Sequence, residues 1–241
     1  MLESTRGIVF HVTRYSESSG IIKIFTEESG LQTFIIKSLF SRSAKLKPAL
    51  FGHLNILDLV IDNKPGRPLQ YIRDASLNRA FHEITDSMPR SSILVFMNEV
   101  LYKAIREEEA NFSLFQFIEY SLEALNDIQI PVQSFHLLFL IKLSEYLGFG
   151  PAGSLTSSGD HFDLLSGLPD ANSPAHDFVI NGQSLDLLRS LSLIDYSDLG
   201  KIVAPRQLRL DLLDKLIDFY RIHLPEMSEL KSVKIFHEIM S

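Results

Sequence analysis

Near residue 80 the spacing of the apolar side chains changes, and that change limits the chain to a strand-built first part and a helix-built second part. In "RGIVFHVTRY" Ile8, Phe10 and Val12 alternate with Val9, His11 and Thr13, the period of a half-buried strand. "GIIKIFTEESGLQTFIIK" predicts a hairpin, with runs at 21–26 and 31–36 around the turn residues Glu28, Ser29 and Gly30. "LNILDLVID" sets Leu57, Leu59 and Ile61 on one face, Pro65-Gly66 supplies a turn, and "LQYIRDASL" opens a last strand. Five short antiparallel strands in residues 1–80 fit a small barrel of the OB type, an architecture that binds single-stranded nucleic acid in many settings.

Residues 81–241 predict helices. "MPRSSILVFMNEVLYKAIREEEA" places Ile93, Met97, Val100, Leu101 and Ala104 at helical spacing, with Pro89 in the first turn. Its acidic end, Glu107-Glu108-Glu109, fits a solvated surface. The next helix is expected to be capped at Asn111 or Ser113. "PVQSFHLLFLIKLSEYLGFGP" is apolar on most faces, so it fits a central helix closed by Gly148 and Pro151, with His136 in its core. A short helix around 184–193 and a strong one from Pro205 complete the set. Residues 150–182 are rich in Gly, Ser, Pro and Asp. They are long for a connection inside a domain, and are expected to form a loop-rich insert. The fold class is therefore α+β, a barrel at 1–80 followed by a helical domain at 81–241.

Charge divides at the same place. The whole chain carries a formal net charge of −7. Residues 1–80 hold 11 Lys and Arg against 7 Asp and Glu, and the rest hold 12 against 23. The first part suits a polyanion, and the second would repel one. Within the first part, no Asp or Glu lies between Glu28 and Asp58, while Lys37, Arg42, Lys45 and Lys47 all do. These four are candidates to lie along a nucleic-acid backbone, with Ser38, Ser41 and Ser43 as added donors. Phe40 or Phe51 would then stack a base. Arg14 and Arg73 are additions from the strands.

Other chemistry is scarce. The chain has no cysteine, so disulfides and thiolate metal sites are excluded. No nucleophile motif, phosphate-binding glycine loop or dinucleotide fingerprint occurs. Asp160, His161 and Asp163 in "GDHFD" are the nearest approach to a metal or enzyme site. Loop residues without a rigid frame are the simpler reading, so no metal, no cofactor and no catalytic residue is expected. No apolar run has membrane-spanning length, the start lacks a signal-peptide pattern, and a cytoplasmic location is expected.

The order of these features resembles the RecO family of DNA repair and recombination mediators. The resemblance rests on "RGIVFHVTRYSES", "IIKIFTEESG", "IIK" before the basic stretch, "LNILDLVI", "LLFLIKLSEYLGFGP" and the tail "ELKSVKIFHEIM". It implies an OB domain followed by a helical domain, and a non-enzymatic role. That role is binding single- and double-stranded DNA, annealing complementary strands, and helping load RecA on DNA coated by single-strand binding protein (SSB). RecR and the acidic C-terminal tail of SSB are the implied protein partners. For that tail, Arg206, Arg209, Lys215 and Arg221 are candidates, and so are Lys142, Lys231 and Lys234, although the solvated face of an amphipathic helix is the favoured reading of the first four. The resemblance assigns Lys37, Arg42, Lys45 and Lys47 to the DNA-binding loop. Many family members hold a four-cysteine zinc site after the Gly-Pro turn, and "AGSLTSSGDHFDLLSGLPDANSPAHDFVING" cannot. The competing reading is a protein-interaction scaffold whose OB domain no longer binds nucleic acid.

Overall fold

Strand β1 (Leu2–Arg14) pairs along both of its halves, and this closes the first part of the chain into a barrel. The computed structural model describes residues 2–64, 66–106, 108–151, 155, 159–171, 175–227 and 229–233. Its other strands are β2 (Gly20–Thr26), β3 (Gly30–Ile36), β4 (Ile56–Asp62) and β5 (Gln70–Leu77). They run in the order β1-β2-β3-β5-β4, with β4 returning to β1. Four of the five neighbour contacts are antiparallel, as expected, and the expected hairpin is β2 with β3. The closing contact, β3 with β5, is parallel and only two residue pairs long, Phe34 with Gln70 and Ile35 with Tyr71.

Both ladders of β1 meet at Gly7, opposite Thr26 on one side and Leu57 on the other. A Cβ there would come within 2.5 Å of Ile24 Cγ2 and 2.7 Å of Leu59 Cδ1, so any larger residue would have to displace two buried core side chains. The expected alternation of Ile8, Phe10 and Val12 breaks just beyond it. Val9 faces Ile24 while His11 faces Lys23, which leaves Phe10 as an extra residue in a bulge. Ile8, Val9 and Phe10 are consequently all buried. The interior is filled by Ile22, Ile24, Phe34, Leu57, Leu59 and Ile61, the last three on one face as their spacing predicts.

Two compact units divide the chain, Met1–His82 with Asn98–Tyr120, and Glu83–Met97 with Ser121–Ser241. Helices α2 (Met88–Ala104) and α3 (Phe112–Asn126) each contribute to both. α3 starts at Asn111, whose side-chain oxygen accepts from the Leu114 amide at 3.0 Å. In the first unit Phe10 stacks on Phe25 at 5.8 Å, and Phe115 covers Phe25 at 6.1 Å. Arg6 lies over the Phe115 ring and donates to Glu27 (2.9 and 2.7 Å) and to Glu119 (2.6 Å).

In the second unit α4 (Phe135–Tyr146) has nine of its 12 residues buried, as a central helix requires. Gly148, at φ 84, ends the segment that follows it. His136 is buried edge-on to Phe96. Tyr220 of α6 (Arg206–His223) donates to the Leu140 carbonyl at 2.7 Å, and Tyr196 stacks on Phe135 at 4.6 Å. α5 (Gly182–Ser192) follows the insert, and the short α1 (His82–Thr85) precedes α2.

The insert is more ordered than a loop. β6 (His161–Asp163), β7 (Leu168–Asp170) and β8 (Val179–Asn181) form a three-stranded antiparallel sheet. Phe162 packs against Phe219 at 5.6 Å, and the His223 ring lies 2.9 Å from the Leu164 carbonyl. His176 Nε2 is 3.4 Å from Asp163 Oδ1. No group of three or more metal-competent side chains occurs among the described residues. Pro65 of the turn and Glu107 of the glutamate triple lie outside the described residues. So does most of the tail, where Lys231, Ser232 and Val233 are helical.

Candidate nucleic-acid interface

The acid-free stretch leaves β3 as a pinned segment. Leu39, Ala44 and Leu46 are buried, and Leu39, Leu46 and Phe51 join the barrel core. Lys37, Arg42, Ser43, Lys45 and Lys47 are exposed between and beside those anchors. Two tight turns set this alternation. Ser38, at φ 60, accepts at its carbonyl from both the amide and the hydroxyl of Ser41, and Ser41 accepts from the Ala44 amide. The Phe40 amide donates to the Ser18 carbonyl at 2.9 Å, which ties the segment to the β1–β2 connection. Apolar anchors thus fix the backbone, and Lys37, Arg42 and Lys47 are left exposed.

A stretch free of carboxylates in sequence is not free of them in space. Lys45 Nζ lies 3.3 Å from Asp74 Oδ1, and Arg73 donates to Asp62 at 2.8 Å, both carboxylates coming from β4 and β5. The Arg73 hydrogen bond holds the Asp62 carboxyl below its ordinary range. The Lys45–Asp74 pair is exposed, so it is weak and opens readily to a phosphate, whereas Asp62 is largely shielded. Among the described residues no carboxylate pairs with Lys37, Arg42 or Lys47. Arg14 lies over the Phe40 ring, 4.7 Å from its centroid.

The aromatic expectations divide. Phe51 is 4% exposed inside the barrel core and cannot stack a base. Phe40 is half-buried, with one face occupied by Arg14. Of the six proposed basic residues, Lys37, Lys45 and Arg73 line one groove of about 200 Å³. Arg73 reaches it because β5 bulges there. Val60 faces Asp74 while Ile61 faces Ile72, so Arg73 is the extra residue and its side chain is re-aimed. The groove also takes in Ile35, Leu46 and Tyr71, and Arg67 sits 5.4 Å from the Tyr71 ring centroid. Sequence reasoning missed Tyr71 and Arg67, because only the parallel β3–β5 contact brings Tyr71 beside Lys37. A larger opening of about 410 Å³ on the same barrel carries Glu27, Glu28, Asp58 and Asp74, the wrong sign for phosphate.

In the second unit, Arg209 is half-buried and donates to the Ala204 carbonyl. It lines a groove of about 220 Å³ with Pro131, Ser134 and Ile202. Burial, then the nearby Arg206, lowers its pKa. Lys215 donates to the Asp177 carbonyl, Arg221 pairs with Asp218, and Lys142 pairs with Asp195. Lys234 lies outside the described residues.

Two family models cover nearly the whole chain. The one described as "Recombination protein O N terminal" matches residues 1–81, and "Recombination protein O C terminal" matches residues 86–233. A protein of Bacteroides fragilis named DNA repair protein RecO is 33% identical over 240 residues, covering 99% of both chains. The proteins of that name from Phocaeicola vulgatus and Flavobacterium psychrophilum are 31% and 30% identical, covering 100% and 98% of both chains.

Proposed function

The chain belongs to the RecO family, and from that premise we propose that it acts in DNA repair as a non-enzymatic mediator of recombination. It binds single- and double-stranded DNA, anneals complementary strands, and assists RecA loading on SSB-coated single strands, with RecR as a partner, in the cytoplasm. The observation that carries this reading is the pinned segment, which presents Lys37, Arg42 and Lys47 outward. Cations on a fixed frame neutralise phosphates without reading sequence, and lowering the repulsion between two strands is what annealing requires. None of this consumes a nucleotide. No helix among the described residues is long and apolar enough to cross a membrane.

The test is annealing of two complementary oligonucleotides in the absence of any nucleoside triphosphate. The protein should accelerate duplex formation, and an unchanged rate at every protein concentration would rule the reading out. The scaffold alternative draws on the pairing of Lys45 and Arg73 with Asp74 and Asp62, which reduces the charge offered to phosphate.

For the acidic SSB tail, the groove at Arg209 combines apolar walls with a guanidinium whose charge burial already disfavours. A carboxylate placed there would relieve that penalty. Arg209→Glu should weaken binding of a peptide of that tail by about tenfold or more, as loss of a charge-assisted bond implies. Unchanged peptide affinity would move the tail to another surface.

A further inference from the structure

The groove at the barrel seam has features that phosphate binding does not need. β3 and β5 pair for only two residues, then part beyond Ile35 and Tyr71. Elsewhere the ladders are long, with seven pairs between β2 and β3. Backbone polar groups beyond the end of a ladder need other partners. One is supplied by Lys45, whose ammonium reaches across the parting strands to the Arg73 carbonyl at 3.3 Å. Leu46 closes one side, while Ile35 and the half-buried Tyr71 ring supply apolar surface. The rim carries Lys37, with no carboxylate partner among the described residues, and Lys45 and Arg73, whose Asp74 and Asp62 partners a phosphate would displace.

From this juxtaposition we infer that the seam holds one unpaired DNA base, stacked against Tyr71, with its flanking phosphates on Lys37, Lys45 and Arg73. The inference rests on the DNA-binding reading above and specifies which form of DNA the site takes. Size supports a single base. At about 200 Å³ the groove falls below the ~300–1,000 Å³ of sites that enclose a whole small ligand. The edge of an unpaired base carries donors and acceptors that can serve the parting backbones. In a duplex that edge is already paired and inside the stack, so a single strand is preferred. Stacking is indifferent to sequence, because every base has a π face. Arg67 lies over one face of the same ring, 5.4 Å from its centroid, so the base is assigned to the other face.

The test compares two single strands of equal length, a thymine homopolymer and an all-abasic strand, at one salt concentration and across a salt series. The two carry the same phosphates, so any difference belongs to the bases. The thymine strand should bind about tenfold tighter or more, the contribution of one stacked base. Tyr71→Ala should bring it down to the abasic level without changing abasic binding or the salt slope, and Tyr71→Phe should keep the preference. Equal, salt-dependent binding of both strands by the parent would reject the base site while leaving phosphate binding intact. No binding of either strand would remove both readings. A Tyr71→Ala variant that weakens both strands equally would also overturn the inference, since the ring would then only support the barrel.

Discussion

Changing Lys37, Arg42, Lys45 and Lys47 together to Glu is expected to lower affinity for single-stranded DNA by more than about 100-fold at low salt. Four attractions to phosphate become four repulsions in one step. The fold should survive. All four side chains are exposed, and the anchors Leu39, Ala44 and Leu46 are untouched. The change does put a carboxylate at position 45 beside Asp74, but a repulsion between exposed charges costs only tenths of a kcal/mol. An unchanged unfolding midpoint together with lost DNA binding is therefore the expected pair of results. A variant that binds like the parent would place DNA elsewhere on the chain.

Arg6→Ala is expected to destabilise the first unit by about 3 kcal/mol, measured by urea unfolding. Arg6 is the shared partner of Glu27, which follows β2, and Glu119 on α3, and it lies over the Phe115 ring. Its hydrogen bond to Glu27 is the main reason that its pKa is raised further. Both carboxylates are largely shielded from solvent, so the alanine variant leaves two like charges close together without their cation. Adding Glu27→Gln and Glu119→Gln to that variant should restore part of the loss, because it removes the charges while keeping the shape. A loss under about 1 kcal/mol would show that solvent already screens the network.

Much of the fold was legible before the structure. The period-two segments became strands, and Leu57, Leu59 and Ile61 took the face that their spacing implied. The start of α3 at Asn111, one of two capping candidates, is borne out by its bond to the Leu114 amide, and α6 begins beside Pro205 as expected. What escaped depended on residues far apart in sequence. Ladder geometry decides the bulges at Phe10 and Arg73, and no local pattern announces it. The parallel contact of β3 with β5 spans two pairs and joins segments more than 30 residues apart, so Tyr71 could not be placed at the site. The strands of the insert are three residues long, too short for alternation to register.

The basic segment shows the same limit. Its charges and its lack of carboxylates are plain in the sequence, but its three buried anchors, Leu39, Ala44 and Leu46, follow no period that marks them as core. Asp62 and Asp74 reach two of the six basic side chains only through the barrel. Phe51 looked available for stacking until the 3₁₀ turn at Pro48–Phe51 directed it into the core.

The measurement that bears most directly on the central claim is the affinity of the unmodified protein for a fluorescent single-stranded oligonucleotide across a salt series. If Lys37, Arg42, Lys45 and Lys47 each meet a phosphate, log affinity should fall against log salt with a slope near roughly −3, about −0.7 per contact. From about 50 to about 200 mM salt, that is a loss of roughly 50-fold. A slope near zero, or no measurable binding at the lowest salt, would contradict a phosphate-binding barrel and leave the scaffold reading in its place.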